Sequence, residues 1–147
     1  MQASIKFTIA IHICIQMDYS DDELTTSQAL AESVNTNPVV IRRLLPLLKK
    51  HHIVNSVAGA NGGFYLAKDA HEISLWDIYM AVRDEQLFSK PREHYDSPVS
   101  LYLGDLVDDV FEKAEFSMEA IFSHVSIKDL SDKLRNIVEE KEAVLTV

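Results

Sequence analysis

Apolar residues recur along most of this chain at the spacing of helices, and strand-like runs are confined to a short stretch near its middle. Residues 4–17 are apolar on nearly every face, which predicts a helix buried between two neighbours. From residue 100 to residue 124 apolar side chains recur every three or four positions, which predicts one long helix; Ser126 and Asp129 cap a last one. The pattern therefore predicts a mainly α fold with a small β-hairpin.

Two short helices separated by a turn are predicted between the long ones. Thr25 and Gln28 have the spacing of a capping box that opens the first short helix. The run Asn35–Asn37 ends it, because Asn and Thr side chains compete for backbone hydrogen bonds and tolerate turn conformations. An Asn cap followed by Pro38 opens the second. This order is the plan of a helix-turn-helix.

A hairpin is predicted directly after these helices. Residues 53–54 and 64–66 are short apolar runs typical of strands, and Asn61 followed by Gly62 is the strongest short-range hairpin signal in the chain. The glycine-rich loop around them has neither the GxGxxG nor the GxxxxGK[ST] spacing of a nucleotide-binding loop. We interpret it as the wing of a winged helix-turn-helix.

The long helix suggests how the chain is organised. We expect a DNA-binding domain over residues 1–85, a loop over 86–98 and a helical dimerisation region over 99–147. A helix from 100 to 124 spans roughly 36 Å, which exceeds the width of the small domain before it. Its apolar stripe could be covered by the last helix of the same chain or by a second copy. We favour a homodimer, because a helix-turn-helix commonly reads two half-sites of a pseudo-palindromic DNA site.

Charge is segregated along the chain, which has a net charge of −9. Residues 1–68 contain six Lys or Arg and five Asp or Glu, whereas residues 69–147 contain eight and eighteen. Within residues 25–68 five cations face a single acid, Glu32. The acidic total therefore does not exclude DNA as a partner, since the predicted helix-turn-helix is locally basic.

Candidate DNA contacts follow from the winged helix-turn-helix plan. The first residues of the second helix enter the major groove, where Arg can bind guanine bidentately. Hydroxyl and backbone N–H groups at a helix start suit phosphate, and Lys adds salt-sensitive attraction. The predicted DNA-binding residues are Thr26, Ser27, Asn35, Thr36, Asn37, Val39, Arg42, Arg43, Lys49, Asn61 and Gly62.

The sequence gives little support for a disulfide, a metal site or a catalytic site. Cys14 is the only cysteine, so it cannot form an internal disulfide or alone hold a thiolate metal site, and its apolar neighbours favour a buried, inert thiol. The six histidines make no HExxH pair, and no catalytic triad is readable. We therefore expect no enzyme, no cofactor and no metal. No run is long enough to span a membrane, and the apolar start lacks a signal-peptide cleavage site, so we expect a cytoplasmic protein.

These residues together resemble the IscR/NsrR/CymR (Rrf-two) family of bacterial winged-helix transcriptional regulators. The matching motifs are Ser27 to Val34, the helix from Pro38, Ile53-Val54, the wing Gly59-x-x-Gly62-Gly63-Phe64-x-Leu66, and Ile73-Ser-Leu-x-Asp77-Ile78. The run Ser33-Val-Asn-Thr-Asn-Pro-Val-Val-Ile-Arg-Arg43 resembles a subgroup of related regulators that share it. The resemblance covers essentially the whole chain. It implies a dimer joined through the long helix, with the first helix packed against the partner.

The resemblance also shows where this chain departs from its family. Several members carry an iron–sulfur cluster on three cysteines in the loop before the long helix; here that loop has none, and Ser97 stands where a cysteine would. The effector is left open as a small molecule, a protein partner or none. Ala58 stands where the family often has a wing Arg, His52 occupies a usual glycine position, and Pro46 should kink the reading helix between Leu45 and Leu47.

Two functions remain open from the sequence. The favoured one is a homodimeric, sequence-specific DNA-binding regulator, most simply a repressor, without an iron–sulfur cluster. The other is an effector-sensing or protein-interaction module of the same fold with weak or lost DNA binding, for which Ala58, Pro46 and the acidic second half are the arguments.

Overall fold

A computed structural model describes residues 3–21, 23–84 and 87–146. In these parts of the chain it contains six α-helices, one antiparallel pair of strands and one 3-10 turn. The elements in chain order are α1 (Ala3–Tyr19), α2 (Ser27–Val34), α3 (Pro38–Lys50), β1 (Val54–Val57), β2 (Gly63–Leu66), the 3-10 turn (Ala70–Glu72), α4 (Leu75–Val82), α5 (Pro98–Phe122) and α6 (Ile127–Leu145). The predicted mainly α fold with a small hairpin is confirmed.

The core is built around α1, which packs against α2, α3, α4, α6 and β2. Four α1 side chains are fully or almost fully buried: Ala10, Ile13, Cys14 and Met17. They meet an apolar stripe from each neighbouring element, with Leu30 from α2 and Ile41, Leu44 and Leu48 from α3 among the most buried. The apolar pattern that predicted a helix between neighbours is therefore explained by packing on several sides at once.

The start of α2 corrects a prediction. Thr25 does not cap the helix: its backbone N–H donates to the Phe64 carbonyl (3.0 Å) and its carbonyl accepts from the Phe64 N–H (2.8 Å), in an isolated bridge. Thr26 is the cap instead, its side chain accepting from the Ala29 N–H at 3.1 Å. The Gln28 amide donates to Glu32 rather than reaching back, so no capping box forms. Two adjacent threonines made the sequence ambiguous, and sheet pairing decided between them.

The hairpin exists as predicted, but its turn is built differently. β1 and β2 pair antiparallel with Val57 opposite Gly63, leaving a five-residue connection. A two-residue hairpin turn at Asn61 and Gly62 would require positive φ at both. The positive φ, +107°, lies instead at Gly59, whose carbonyl accepts from the Gly62 N–H at 3.0 Å. Gly62 is needed for space, because a Cβ there would lie 2.1 Å from the Val57 carbonyl oxygen.

The helix starts predicted for the rest of the chain are confirmed. Asn37 caps α3 with Pro38 in the first turn, and Ser126 with Asp129 forms a capping box at α6. Backbone and side-chain hydrogen bonds from Ser126 lower the pKa of Asp129. His52 has φ of 58°, as expected at a position where glycine is usual.

Helix α3 continues through Pro46 to Lys50. Pro46 is exposed, so the Arg42 carbonyl that loses its helical partner lies on the solvent side, where water can satisfy it. This exposed position reduces the loss of stability that proline causes inside a helix. The kink expected between Leu45 and Leu47 stays a prediction.

The last two helices have different environments. α5 contains no buried residue; its contacts with the rest of the chain include the ring pairs Phe88–Phe111 and Phe7–Phe122, with centroids 4.4 and 5.5 Å apart, and the ion pairs Arg83–Glu115 and Lys90–Asp108. α6 instead begins inside the core at Ile127, which is fully buried, and packs against α1 and the 3-10 turn. The last helix therefore does not cover the apolar stripe of α5.

Among the described residues, no helix is both long enough and apolar enough to cross a membrane.

One buried side-chain hydroxyl has no hydrogen-bond partner among the described residues. It belongs to Ser131 of α6, which is fully buried. Since burying an unpaired hydroxyl costs free energy, we expect Ser131→Ala to raise the free energy of unfolding by about 1 kcal/mol. Urea titration at fixed protein concentration measures this change.

Ser126→Ala on the same helix is the contrasting variant, because it removes the cap of α6 and should lower the free energy of unfolding by about 1 kcal/mol. A loss of stability in Ser131→Ala would contradict the expectation and indicate that its hydroxyl is bonded in solution.

Candidate nucleic-acid interface

The exposed face of α3 carries the predicted base-reading residues. Val39, Arg42 and Arg43 are spaced at i, i+3 and i+4, so they share one side of the helix, and all three are exposed. The opposite face is buried, with Ile41 and Leu44 almost inaccessible. Because packing fixes the buried face, the orientation of the exposed one is fixed with it.

The two arginines of this face have no hydrogen-bond or ion-pair partner among the described residues. In the part of the chain that the structure describes, neither Arg42 nor Arg43 has a hydrogen bond or ion pair, whereas Arg83 and Arg135 both pair with carboxylates. An arginine fork held by no protein carboxylate keeps its five donors available for a base edge or a phosphate.

Asn37 combines a structural and a potential binding role. Its side-chain oxygen accepts from the Val39 N–H at 2.9 Å, which fixes the first turn of α3. The side-chain amide nitrogen of Asn37 has no hydrogen-bond partner among the described residues, so its two donors remain available. Asn35, in the left-handed conformation at φ 59°, ends α2, and the Thr36 N–H donates to the Ala31 carbonyl at 2.9 Å. These contacts hold the turn between the two helices in one shape.

The N-terminal end of α2 forms a second candidate contact. Thr26 accepts from the Ala29 N–H, so its own hydroxyl proton remains free to be donated. The backbone N–H groups of Ser27 and Gln28 lie in the first helical turn, where no intrahelical carbonyl is available. Such a helix start suits a phosphate group.

The wing lies next to the C-terminal end of α3. Lys49 donates to the Ser56 hydroxyl of β1 at 2.8 Å, which joins the reading helix to the hairpin. Asn61 at the tip is exposed, and Gly62 is required by the turn as described above. Ala58 offers no cation, so the polar groups at this tip are amides and backbone groups.

The predicted site residues thus fall on three elements: the start of α2, the start and exposed face of α3, and the wing. The residue that sequence reasoning missed is Thr25, which fastens the chain before α2 to the wing strand at Phe64. Gly63 gives the one available signal, because its missing side chain allows the close approach: a Cβ there would lie 3.0 Å from the Cβ of Leu24 and 3.1 Å from the Thr25 carbonyl oxygen.

The groups whose pKa is shifted lie outside α2, α3 and the wing. His71 hydrogen bonds, first from its backbone N–H, lower the pKa of Asp69, which caps the 3-10 turn. Burial raises the pKa of the Cys14 thiol to about 12. Among the described residues no three His, Cys, Asp or Glu side chains are grouped so that they could hold a metal ion. The exposed surface of α2 and α3 thus offers hydrogen-bond donors for binding, apart from the groups whose pKa is shifted.

Comparison with known proteins agrees with this arrangement. The family model described as "Rrf2: Iron-dependent Transcriptional regulator" matches residues 3–133. YwnA of Bacillus subtilis (strain 168), named as an HTH-type transcriptional regulator, is 40% identical over 131 residues, covering 88% of this chain and 96% of YwnA. The family and this relative are regulators of transcription and not enzymes.

Two solved structures are similar in fold. One, described as a DNA binding protein, has a TM-score of 0.65 and 35% identity and covers 85% of this chain and 97% of its own. The other is CymR (YrzC), the global cysteine regulator of B. subtilis, with a TM-score of 0.66 and 17% identity, covering 90% of this chain and 98% of CymR. The predicted winged-helix fold is thereby confirmed.

Proposed function

Because this chain belongs to the Rrf2 family of transcriptional regulators, we propose that it binds a pseudo-palindromic DNA site as a homodimer, with sequence specificity and without an iron–sulfur cluster. The observation that carries the proposal is the exposed face of α3, where Arg42 and Arg43 are uncommitted beside a capped, packed helix start. The start of α2 and the wing supply donors on either side of that helix.

We assign DNA sequence specificity to α3, and affinity for DNA of any sequence to the start of α2 and the wing. Arg42, Arg43 and Val39 are suited to base edges in the major groove, since Arg binds guanine bidentately and an aliphatic side chain can contact a thymine methyl group. Thr26 and Ser27 are suited to phosphate, and Asn35, Thr36 and Asn37 to the groove edge. Asn61 and Gly62 bring the wing backbone to the DNA, and Lys49 adds charge.

The homodimer is supported by the surface of α5. Val99, Tyr102, Leu106, Val110 and Ile121 share one face of this helix and are 55–68% exposed. A stripe of large apolar side chains of this length marks an interaction surface. The last helix packs elsewhere, so a second copy is the natural cover, and twofold symmetry would then place two α3 helices on successive half-sites.

The family description names iron, yet the residues of this chain do not fit an iron–sulfur cluster. Cys14 is its only cysteine, it lies fully buried in α1, and a thiol with a pKa of about 12 stays protonated at neutral pH. Cluster ligation needs thiolates from several cysteines. Ser97, where the resemblance expects a cysteine, caps α5 by accepting from the Ser100 N–H.

We propose repression as the sign of regulation, since a dimer on two successive grooves occupies DNA that polymerase needs. The alternative is a sensing or interaction module with weak DNA binding, which the uncharged wing residue Ala58 favours. The DNA-binding experiment below separates the two.

Variants of α3 test the specific DNA contacts. A binding site is selected from random DNA with the wild-type protein, and affinity is measured for that site and a scrambled one at two salt concentrations. Arg42→Ala and Arg43→Ala should each lower the ratio of the two affinities about 5- to 150-fold, because a bidentate base contact is lost. Lys49→Ala should weaken both sites alike and reduce the salt slope by about 1.

Two controls accompany these variants. Ser56→Ala removes the hydrogen bond of Lys49 while keeping its charge, and Lys133→Ala removes an exposed cation from α6. Both should bind nearly as the wild type does. Micromolar, sequence-blind binding by the wild type would favour the sensing module, and equal losses for the two arginines and Lys49 on both DNAs would refute the assigned roles.

A charge placed on the α5 stripe tests the dimer. Leu106→Glu buries a carboxylate in the proposed interface, so sedimentation should show half the wild-type mass and binding to the selected site should weaken. Glu119→Lys, an exposed charge change on the opposite side of α5, should leave the mass unchanged. A wild-type protein that is monomeric at micromolar concentration would rule out the homodimer.

Metal analysis tests the absence of a cluster. Protein purified without oxygen should contain far less than one iron and one acid-labile sulfide per chain, because only one cysteine is present. Affinity for the selected DNA site should be the same before and after treatment with ferrous iron and sulfide. Stoichiometric iron, or DNA binding that depends on it, would contradict this part of the proposal.

A further inference from the structure

Arg135 joins the last helix to the region where α1 ends. Its Nη2 donates to the Asp18 carbonyl at 3.0 Å and to an Asp21 carboxylate oxygen at 3.2 Å, and its Nη1 lies 3.4 Å from the Asp18 carboxylate. The guanidinium also lies over the Tyr19 ring, 5.5 Å from its centroid. These contacts bridge more than 100 residues of sequence.

The residues that Arg135 holds lie shortly before the start of α2. Asp21 has φ of 47°, in the left-handed region that is uncommon for non-glycine residues but open to aspartate. Four residues later Thr25 pairs with Phe64, and Thr26 caps α2. Two described residues between α1 and the first turn of α2 are thus fastened to other elements: Asp21 to Arg135 and Thr25 to the wing strand.

We propose that Arg135 is a positioning residue for DNA binding: by holding Asp18 and Asp21 it fixes where the chain leaves α1, and this helps to present Thr26 and the first turn of α2 to a DNA phosphate. This inference rests on the proposed DNA-binding function. Arg135 itself touches no DNA in this assignment, and its effect passes through Thr26.

Arginine is suited to this role for a geometric reason. Its planar fork reaches a backbone carbonyl and two carboxylates at the same time, which a single ammonium group cannot reproduce. We therefore expect Arg135→Lys to retain part of the effect and Arg135→Ala to lose it. Arg135 lies on α6, which directly follows α5 in the chain. Its contacts with Asp18 and Asp21 therefore link the orientation of α2 to that of α5 and α6.

A matched control exists in Arg83. It is 30% exposed against 27% for Arg135, pairs with Glu115 at 2.8 Å, and lies over the Tyr79 ring at 5.9 Å. Arg83→Ala therefore removes a comparable ion pair and ring contact with no link to α2. Any effect of general destabilisation should appear in both variants.

Hydrogen exchange on the full chain without DNA tests the structural half of the inference. The Ala29 N–H bonds to Thr26 Oγ1, and the Leu30 N–H bonds to the Thr26 carbonyl at 3.0 Å. In Arg135→Ala both amides should exchange several times faster than in the wild type, whereas Arg83→Ala should leave them unchanged. Equal protection in Arg135→Ala and Arg83→Ala would overturn the inference.

A double-mutant cycle on the selected DNA site tests the functional half. Thr26→Ala and Arg135→Ala should each reduce affinity about fivefold per half-site, the loss expected for one hydrogen bond, and Arg135→Lys should fall between wild type and Arg135→Ala. The double variant should lose little more than either single one, because both act on the same phosphate contact. Arg83→Ala should bind like the wild type, because the ring contacts Phe88–Phe111 and Phe7–Phe122 still hold α5 against the rest of the chain.

The outcomes separate this inference from the proposed function. Additive losses, or an affinity of Arg135→Ala equal to that of Arg83→Ala, would overturn the positioning role while Arg42→Ala still shows specific DNA binding. If the wild type binds all DNA alike, the proposed function fails and the positioning role for DNA binding falls with it. The hydrogen-exchange result then still decides whether Arg135 holds the start of α2.

Discussion

The burial of α1 is the constraint on which the rest of this structure depends. Five other elements pack against this one helix, and its side chains Ala10, Ile13, Cys14 and Met17 are enclosed by them. Each large aliphatic side chain buried in this way contributes roughly 1.5–3 kcal/mol to folding. Since α2, α3 and α6 all meet the same helix, their orientations are set together and none is free to turn independently.

That shared packing explains how a short helix becomes a defined binding surface. The buried stripe of α3 fixes which of its residues face outward, and Asn37 fixes where the helix begins. Arg42 and Arg43 are therefore exposed because the opposite face of α3 is packed in the core. Their position depends on that packing and not on any contact made by their own side chains. The exposed position of Pro46 follows from the same division, because the missing backbone hydrogen bond lies where water can replace it.

Most of the fold could be predicted because its signals are local. The Asn37–Pro38 start, the capping box at Ser126 and the apolar period of α5 each depend on residues within a few positions of one another. Thr25 was assigned wrongly because its partner, Phe64, lies 39 residues away and only the sheet brings them together. The turn at Gly59 was missed for a related reason: the pairing of Val57 with Gly63 sets the loop length, and the dipeptide Asn61-Gly62 carries no information about it. Arg135 has a local partner only in Asp132, 3.6 Å away, which gives no hint of its contacts to Asp18 and Asp21 near the other end of the chain.

The segregated charge of the chain fits a protein that binds DNA in one orientation. Residues 25–68 carry five cations and one acid, while residues 69–147 carry eight cations and eighteen acids. Electrostatic interaction in physiological salt fades over about 8 Å, so acids beyond that distance from a docked duplex cost the specific complex little. In an orientation that turns α5 or α6 toward the duplex, the carboxylates of these helices would face the phosphate backbone and repel it. Non-specific affinity for DNA arises almost entirely from attraction to phosphates, so a net charge of −9 lowers the affinity for non-specific DNA. The cations of α3 still attract the DNA at the specific site. The acidic composition that at first argues against DNA binding thus favours discrimination between a specific site and the rest of the duplex.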